Sequence, residues 1–406
     1  MKIGILSHNY AAQRLFLNKI DNTQYKDLRL NNSFLYKNAH LWLLKYMGKL
    51  HLSPEEMVAR LFYNYRSILP NDCDLYHFFN CVSFDKKQWV LSVESAVPWP
   101  VAVTRCTENK DGDFSAIRKN TYVDKRLKAL AKSNCLAILP LSKCSYNIQI
   151  ELLKEFPQYA ETIQKKMLTL HPAQTLQIKN IEEKGLTWDD SEQFTFIYVG
   201  NNYYRKGGRE TVQVLAELHR KYDFRLILIS AMAIDELRYM RTSHDEEDAR
   251  KLIEDNKDWI EFHAGLPNTR VLEKMKKAHI CLLPTWMDTY AYSVLESQAC
   301  GTPCITTDLR ALTEINSDEV GWRVDVPVNR LNNPLHTTRL QQDEFYETLL
   351  AGLREKVEYV LTHREEVREK STSCLKYIQK NHNPIEYADK LRRRYNGEVG
   401  ILKAEC

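Results

Sequence analysis

The chain has 406 residues, 44% hydrophobic and 27% charged, with a formal net charge of +4; it is too long for one ordinary core, suits two domains of roughly 180 residues each, and carries too little charge to argue for a nucleic-acid partner. Its ten cysteines are scattered with no Cys-x-x-Cys pair, which excludes a disulfide framework and a zinc knuckle. No apolar run approaches the roughly 20 residues of a membrane helix, and the amino terminus enters a strand pattern without a signal peptide, so a cytoplasmic chain with reduced thiols is expected.

Short apolar runs alternate with helical patterns along the chain, the signature of parallel strands joined by crossover helices and hence of an α/β fold. In the first half, strands are expected at Lys2–Ser7, Leu75–Asn80, Trp89–Val93, Val101–Thr104 and Leu136–Leu139, with a helix at Tyr146–Phe156. The stretch Leu41–Leu50 is amphipathic, aromatic and basic, which fits a membrane-surface contact or an ordinary core-facing helix. From Gln174 to Glu192 the sequence turns polar and loses periodicity, as a linker does. A second domain opens with the strand Phe194–Val199, breaks at Gly200, and resumes through Arg205-Lys206-Gly207-Gly208 into a helix carrying Val212, Leu215 and Leu218. Strands follow at Phe224–Ile229, His279–Leu283 and Cys304–Thr306, with helices at Asn268–Ala278 and Tyr292–Cys300; the tail beyond Asp343 reads as solvated helices. The expected domains are 1–175, 190–365 and a helical ending, 366–406, that crosses back to the first domain.

Three places carry chemistry. The Gly200–Gly208 loop precedes a helix start, where free backbone amides, glycines and the Arg205-Lys206 pair suit a diphosphate; a plain strand-to-helix turn with solvated basic residues fits equally well. The segment Asp288-Thr-Tyr-Ala-Tyr-Ser-Val-Leu-Glu296 puts Asp288 at a strand's carboxyl end, where open parallel sheets bind ligands, and Glu296 about one turn inside the next helix, on the face of Tyr292. Both carboxylates can accept hydrogen bonds from vicinal hydroxyls. Glu94 follows strand Trp89–Val93 and either orients a substrate or satisfies nearby loop amides. His77 is a candidate on the acceptor side or a hydrogen-bonded core residue, and Tyr76 and His8 near other strand ends are weaker candidates still.

The segment Leu283–Asp308, with Leu312-Thr-Glu-Ile315, resembles the donor-binding motif of family 4 glycosyltransferases, and Val199-Gly-Asn-Asn-Tyr-Tyr-Arg-Lys-Gly207 is similar to that family's diphosphate loop. The resemblance implies a GT-B architecture, two Rossmann-like domains facing across a cleft, the first for the acceptor and the second for a UDP- or GDP-sugar. It further implies transfer to a saccharide or glycan acceptor with retention of anomeric configuration, without a metal or other cofactor. Arg205 and Lys206 would stabilise the leaving diphosphate, Asp288 would hold hydroxyls of the transferred sugar, and Glu296 the ribose. Gly200, Gly207, Tyr290, Ala291, Tyr292 and Ser293 would line the donor, and Glu94 would act at the reacting centre. The chain departs from the pattern at Asp288, where Glu is usual, at Ala291, where Gly is usual, at Asn201, where a basic residue is common, and at His8-Asn-Tyr-Ala-Ala-Gln-Arg14, which replaces a glycine-rich acceptor loop. Membrane contact, if the acceptor is lipid-linked, is at most peripheral and at the inner surface. Two other readings stay open: a sugar-nucleotide epimerase on the same fold, and a non-catalytic nucleotide-sugar-binding scaffold.

Overall fold

The computed structural model describes residues 1–6, 10–48, 63–98, 101–189, 191–233 and 245–398. Two compact units divide the chain: Met1–Ala173 with Pro384–Cys406, and Gln174–Asn383.

The first unit contains strands β1 (Lys2–Ile5), β2 (Gln24–Asp27), β3 (Asn64–Tyr65), β4 (Leu75–Phe79), β5 (Val82–Ser83), β6 (Trp89–Val93) and β7 (Cys135–Pro140). Its helices are α1 (Tyr10–Leu15), α2 (Ser33–Tyr46), α3 (Val101–Glu108), α4 (Thr121–Ala131), α5 (Lys143–Lys154) and α6 (Pro157–Gln164). Five strands form a parallel sheet in the order β2-β1-β4-β6-β7. The interior strand β6 is buried at all five positions, because a parallel sheet is covered on both faces and its interior strands read as unbroken apolar runs.

Val101–Thr104, expected as a strand, is instead the start of helix α3. Its buried residues Val103, Cys106 and Thr107 recur at helical spacing, and a short apolar run alone does not separate strand from buried helix. Trp42, Leu43 and Tyr46 of α2, and Met47 just after it, are exposed; residues 49 and 50 of the amphipathic stretch, like His8, lie outside the described residues.

The second unit holds β8 (Phe194–Val199), α7 (Gly208–Leu218), β9 (Phe224–Ile229), α8 (Asp245–Glu254), β10 (Ile260–His263), α9 (Asn268–Lys276), β11 (Ile280–Leu283), α10 (Tyr292–Ala299), β12 (Cys304–Thr307), α11 (Leu312–Ile315), β13 (Gly321–Val324), α12 (Arg339–Thr362) and α13 (Arg364–Asn381). Six parallel strands run in the order β10-β9-β8-β11-β12-β13. After β8 the chain adds β9 and β10 on one side, and from β11 onward it adds strands on the other. The order therefore reverses between β8 and β11, and their carboxyl ends flank the switch point where open parallel sheets bind ligands.

The segment read as a linker packs on this unit. Ile178 and Ile181 are buried with Leu375 of α13, and the Lys184 ammonium donates to Cys300 O and Thr302 Oγ1 at 3.2 and 2.6 Å. The chain then returns to the first unit as α14 (Pro384–Tyr395). No helix among the described residues is long and apolar enough to cross a membrane, and the nine cysteines among them are free thiols.

Candidate functional site: the switch point of the second sheet

The site is assembled from the two strands that flank the reversal. Beyond β8, Gly200 N donates to Ile229 O at 3.0 Å, and the loop coils back on itself through Lys206 N to Asn202 O at 2.9 Å and Gly208 N to Tyr203 O at 2.8 Å. Gly207 caps α7 in the left-handed region, φ 77°, and a Cβ there would lie 2.0 Å from Pro284 O at the end of β11. Both facts demand glycine. The loop is thus pressed against the neighbouring strand end, and its two basic residues are aimed by that contact.

The β11 side completes the join. Trp286 N donates to Arg205 O at 2.9 Å, Thr285 Oγ1 lies 2.9 Å from both Arg205 O and Met287 O, and Arg205 Nη1 donates to Met287 O at 3.2 Å. Lys206 Nζ forms an ion pair with Asp288. The other oxygen of Asp288 accepts from Ala291 N at 3.1 Å and Tyr290 N at 3.3 Å, so the carboxylate is both paired and fixed at the entrance of α10. Burial by itself would raise the Asp288 pKa. The charge and hydrogen bond of Lys206, with Arg205 and the Tyr290 amide, outweigh it and hold the carboxyl below its ordinary value.

Ala291 then turns the chain into α10 with φ 62°, a left-handed conformation that costs an alanine energy and a glycine almost none. Tyr290 is buried, with its ring 5.3 Å from that of Tyr292, while Tyr292 and Ser293 are partly exposed at the helix start. One turn further, Glu296 is 7% exposed and accepts a hydrogen bond from Asn268 Nδ2, the first residue of α9, at 3.1 Å.

Gly200, Arg205, Lys206, Gly207, Asp288, Tyr290 and Ala291 are therefore joined directly or through the loop that holds them, with Tyr292, Ser293 and Glu296 continuing along α10. Glu94 and His77 belong to the first unit. Glu94 follows β6, its carboxylate accepting from Asn80 Nδ2 at 3.1 Å and its own amide donating to Asn80 Oδ1 at 3.3 Å. It bridges to the neighbouring strand end, where Asn80 has φ 54°. His77, an acceptor-side candidate from the sequence, is a core residue in this fold. It is fully buried, its two ring nitrogens hydrogen-bond Tyr395 Oη at 2.7 Å and Ser92 Oγ at 2.9 Å, and burial lowers its pKa to about 3.

Sequence reasoning passed over Asn268, Asn80 and Thr285, each of which orients a residue or loop of the candidate set. For Asn268 and Asn80 a signal existed, since both follow the strand or loop ends at the carboxyl edge of a parallel sheet. Their partners were set only by folding.

Residues 179–336 match the family model described as glycosyl transferases group 1, a span inside the second unit that contains every element of this site. No curated protein sequence matches the chain at a significant level. Similar solved structures include a glycosyltransferase from Rickettsia africae, with a TM-score of 0.56 at 12% identity over 98% of this chain and 90% of that one. HepE of Anabaena in complex with UDP and glucose gives 0.55 at 9% identity over 98% and 99%. Sucrose-phosphate synthase from Thermosynechococcus elongatus gives 0.52 at 15% identity over 80% and 73%. The chain thus has the GT-B glycosyltransferase fold, and its second unit carries a segment matching the group 1 glycosyl transferases at the place where the basic loop meets Asp288.

Proposed function

We propose that the protein transfers a sugar from a UDP- or GDP-sugar to a saccharide acceptor with retention of anomeric configuration. The observation that carries this reading is the convergence of Arg205 and Lys206 with Asp288 at the sheet's switch point. Two cations beside the positive end of a helix suit a diphosphate, whose negative charge grows as the sugar–oxygen bond breaks. Asp288 and the α10 entrance would hold hydroxyls of the transferred sugar, and Glu296 those of the ribose.

In this reading Lys206 releases part of its hold on Asp288 when the donor phosphate arrives, so the ion pair keeps both side chains aimed before binding. Asp288 is engaged by Lys206 and two backbone amides, which favours a sugar-orienting role over attack on the anomeric carbon. The donor phosphate would accept the acceptor's proton, consistent with retention. Arg205 and Lys206 would carry the diphosphate charge without a divalent cation, so chelation with EDTA is expected to leave the rate unchanged. Glu94 would orient a substrate at the reacting centre; a turnover loss under about tenfold in Glu94→Gln would remove that role, because positioned polar groups at a reacting centre contribute about a hundredfold or more. A lipid-linked acceptor and peripheral membrane contact are supported by the exposed Trp42, Leu43 and Tyr46 of α2 and Met47 just after it, and flotation with anionic vesicles tests them.

The central test is incubation with a panel of nucleotide-sugars, with and without oligosaccharide acceptors, reading the product's anomer by NMR. Acceptor-dependent release of nucleoside diphosphate with a retained anomer is expected. Conversion of the donor to its epimer without acceptor would replace the reading with an epimerase, and binding without turnover across the panel would favour a scaffold.

A further inference from the structure

We infer that Asn268 is a positioning residue for Glu296, holding its carboxylate so that the second unit reads a nucleoside diphosphate's ribose in preference to the 2′-deoxy form. This rests on the donor-site reading of Glu296 given above.

Asn268 opens α9, yet its side chain does not serve that helix. The preceding cap, Pro267, makes no side-chain cap bond, and the Asn268 amide reaches instead to Glu296 Oε1 at 3.1 Å, 28 residues along the chain. Asn268 is itself exposed, whereas Glu296 is 7% exposed, so a surface residue turns its polar end inward onto a nearly buried carboxylate. Asparagine is a poor helix former, and a contact of this kind supplies a reason for it at this position.

The two acidic residues of the motif are held in different ways. Asp288 is paired with a full cation, Lys206, which suits a group beside a diphosphate. One oxygen of Glu296 accepts from a neutral amide, Asn268 Nδ2, which orients that oxygen. Glutamate has several rotatable bonds, and immobilising it before the ligand arrives removes that ordering cost from binding. Vicinal ribose hydroxyls gain from a carboxylate already oriented, whereas a 2′-deoxyribose lacks one of the two donors. The Asn268 contact should therefore strengthen the ribose form selectively and leave the deoxy form nearly untouched.

Titration calorimetry of the full chain with UDP, 2′-deoxy-UDP, GDP and 2′-deoxy-GDP tests this. The wild type should prefer the ribose form of whichever nucleotide it binds by about tenfold, the size of one charge-assisted hydrogen bond. Asn268→Ala should cut that preference to about twofold by weakening the ribose form alone, and Glu296→Ala should do the same. Adding Asn268→Ala to Glu296→Ala should then change nothing more, because the two act as one unit. Equal weakening of ribose and deoxy forms by Asn268→Ala, or a preference left intact, would overturn the inference. If the wild type binds both sugar forms equally while Lys206→Ala abolishes binding, the inference fails and the diphosphate reading stands. If the wild type binds none of the four, the donor-site reading itself fails. A melting curve for each variant separates loss of recognition from loss of fold.

Discussion

Lys206 and Asp288 balance each other in a place where neither side chain is well hydrated, with side-chain exposures of 17% and 10%. Removing one member of such a pair leaves the other uncompensated, so Lys206→Ala should cost about 2–3 kcal/mol of stability. It should also weaken nucleoside diphosphate binding by a hundredfold or more. Chemical denaturation and calorimetry would check the two effects separately. Because the Asp288 pKa is depressed on folding, its contribution to stability is present above the ordinary carboxylate value of about 3.9 and is lost as the pH falls through its lower folded value. Asp288→Asn should therefore flatten the acid limb of the stability profile, read as the urea midpoint between about pH 5 and pH 2.5. Ala291 offers the opposite kind of test. Its φ of 62° is strained for any residue with a Cβ, so Ala291→Gly is expected to raise stability by up to about 1 kcal/mol, and an unchanged or lower melting temperature would contradict the assigned strain.

At the scale of elements, the join between the β8–α7 loop and the end of β11 decides whether the site exists. Gly207→Ala places a methyl against Pro284 O at a φ of 77°, a clash with backbone that no rotamer relieves. It should destabilise the second unit by more than about 2 kcal/mol and, where the protein still folds, weaken nucleoside diphosphate binding by displacing Arg205 and Lys206. Nucleotide affinity held at the wild-type level in a folded Gly207→Ala protein would contradict this account of the loop. The elements legible from sequence share one property. Phe194–Val199, Phe224–Ile229 and Trp89–Val93 appear with the expected bounds because interior strands of a parallel sheet are apolar on both faces. In the two larger sheets the strands that left no signal, β2, β10 and β13, are edge strands of four residues with polar or interrupted sequences, QYKD, IEFH and GWRV. An edge strand has one ladder partner and needs less apolar surface, so it looks like a loop until its neighbour is known.

For the molecule as a whole, the return of α14 to the first unit is fixed by buried polar contacts: Tyr395 Oη with His77 Nδ1 at 2.7 Å, and Tyr387 Oη donating to Leu15 O at 2.6 Å. His77 has a folded pKa lowered to about 3 by burial, against about 6.5 in the unfolded chain. Between these values the unfolded state binds the extra proton. Stability should thus be full above about pH 6.5 and decline as the pH falls toward 3, by up to about 1.4 kcal/mol per pH unit from this group. His77→Gln should give a shallower decline in urea midpoint over that window, even if it lowers stability at neutral pH. Differential scanning calorimetry of the full chain should also show UDP or GDP raising the unfolding temperature of the unit that contains Arg205, since a ligand stabilises the fold it binds; a shift abolished by Lys206→Ala would tie the effect to the switch point.

What the sequence by itself determined is the local alphabet: apolar runs long enough to be interior strands, a glycine-bounded basic loop ahead of a helix, and two carboxylates separated by seven residues after a strand. These follow from chain-neighbour physics, in which burial on two faces, φ freedom at glycine and helix periodicity are written in consecutive residues. Only the tertiary structure decided that Arg205 and Lys206 meet Asp288, that Asn268 holds Glu296, and that His77 lies in the core beside Tyr395. Each of those contacts joins residues 28 to 318 positions apart. Their pairing is set by strand order and by the reversal between β8 and β11, and no stretch of consecutive residues encodes which strand becomes the neighbour of which.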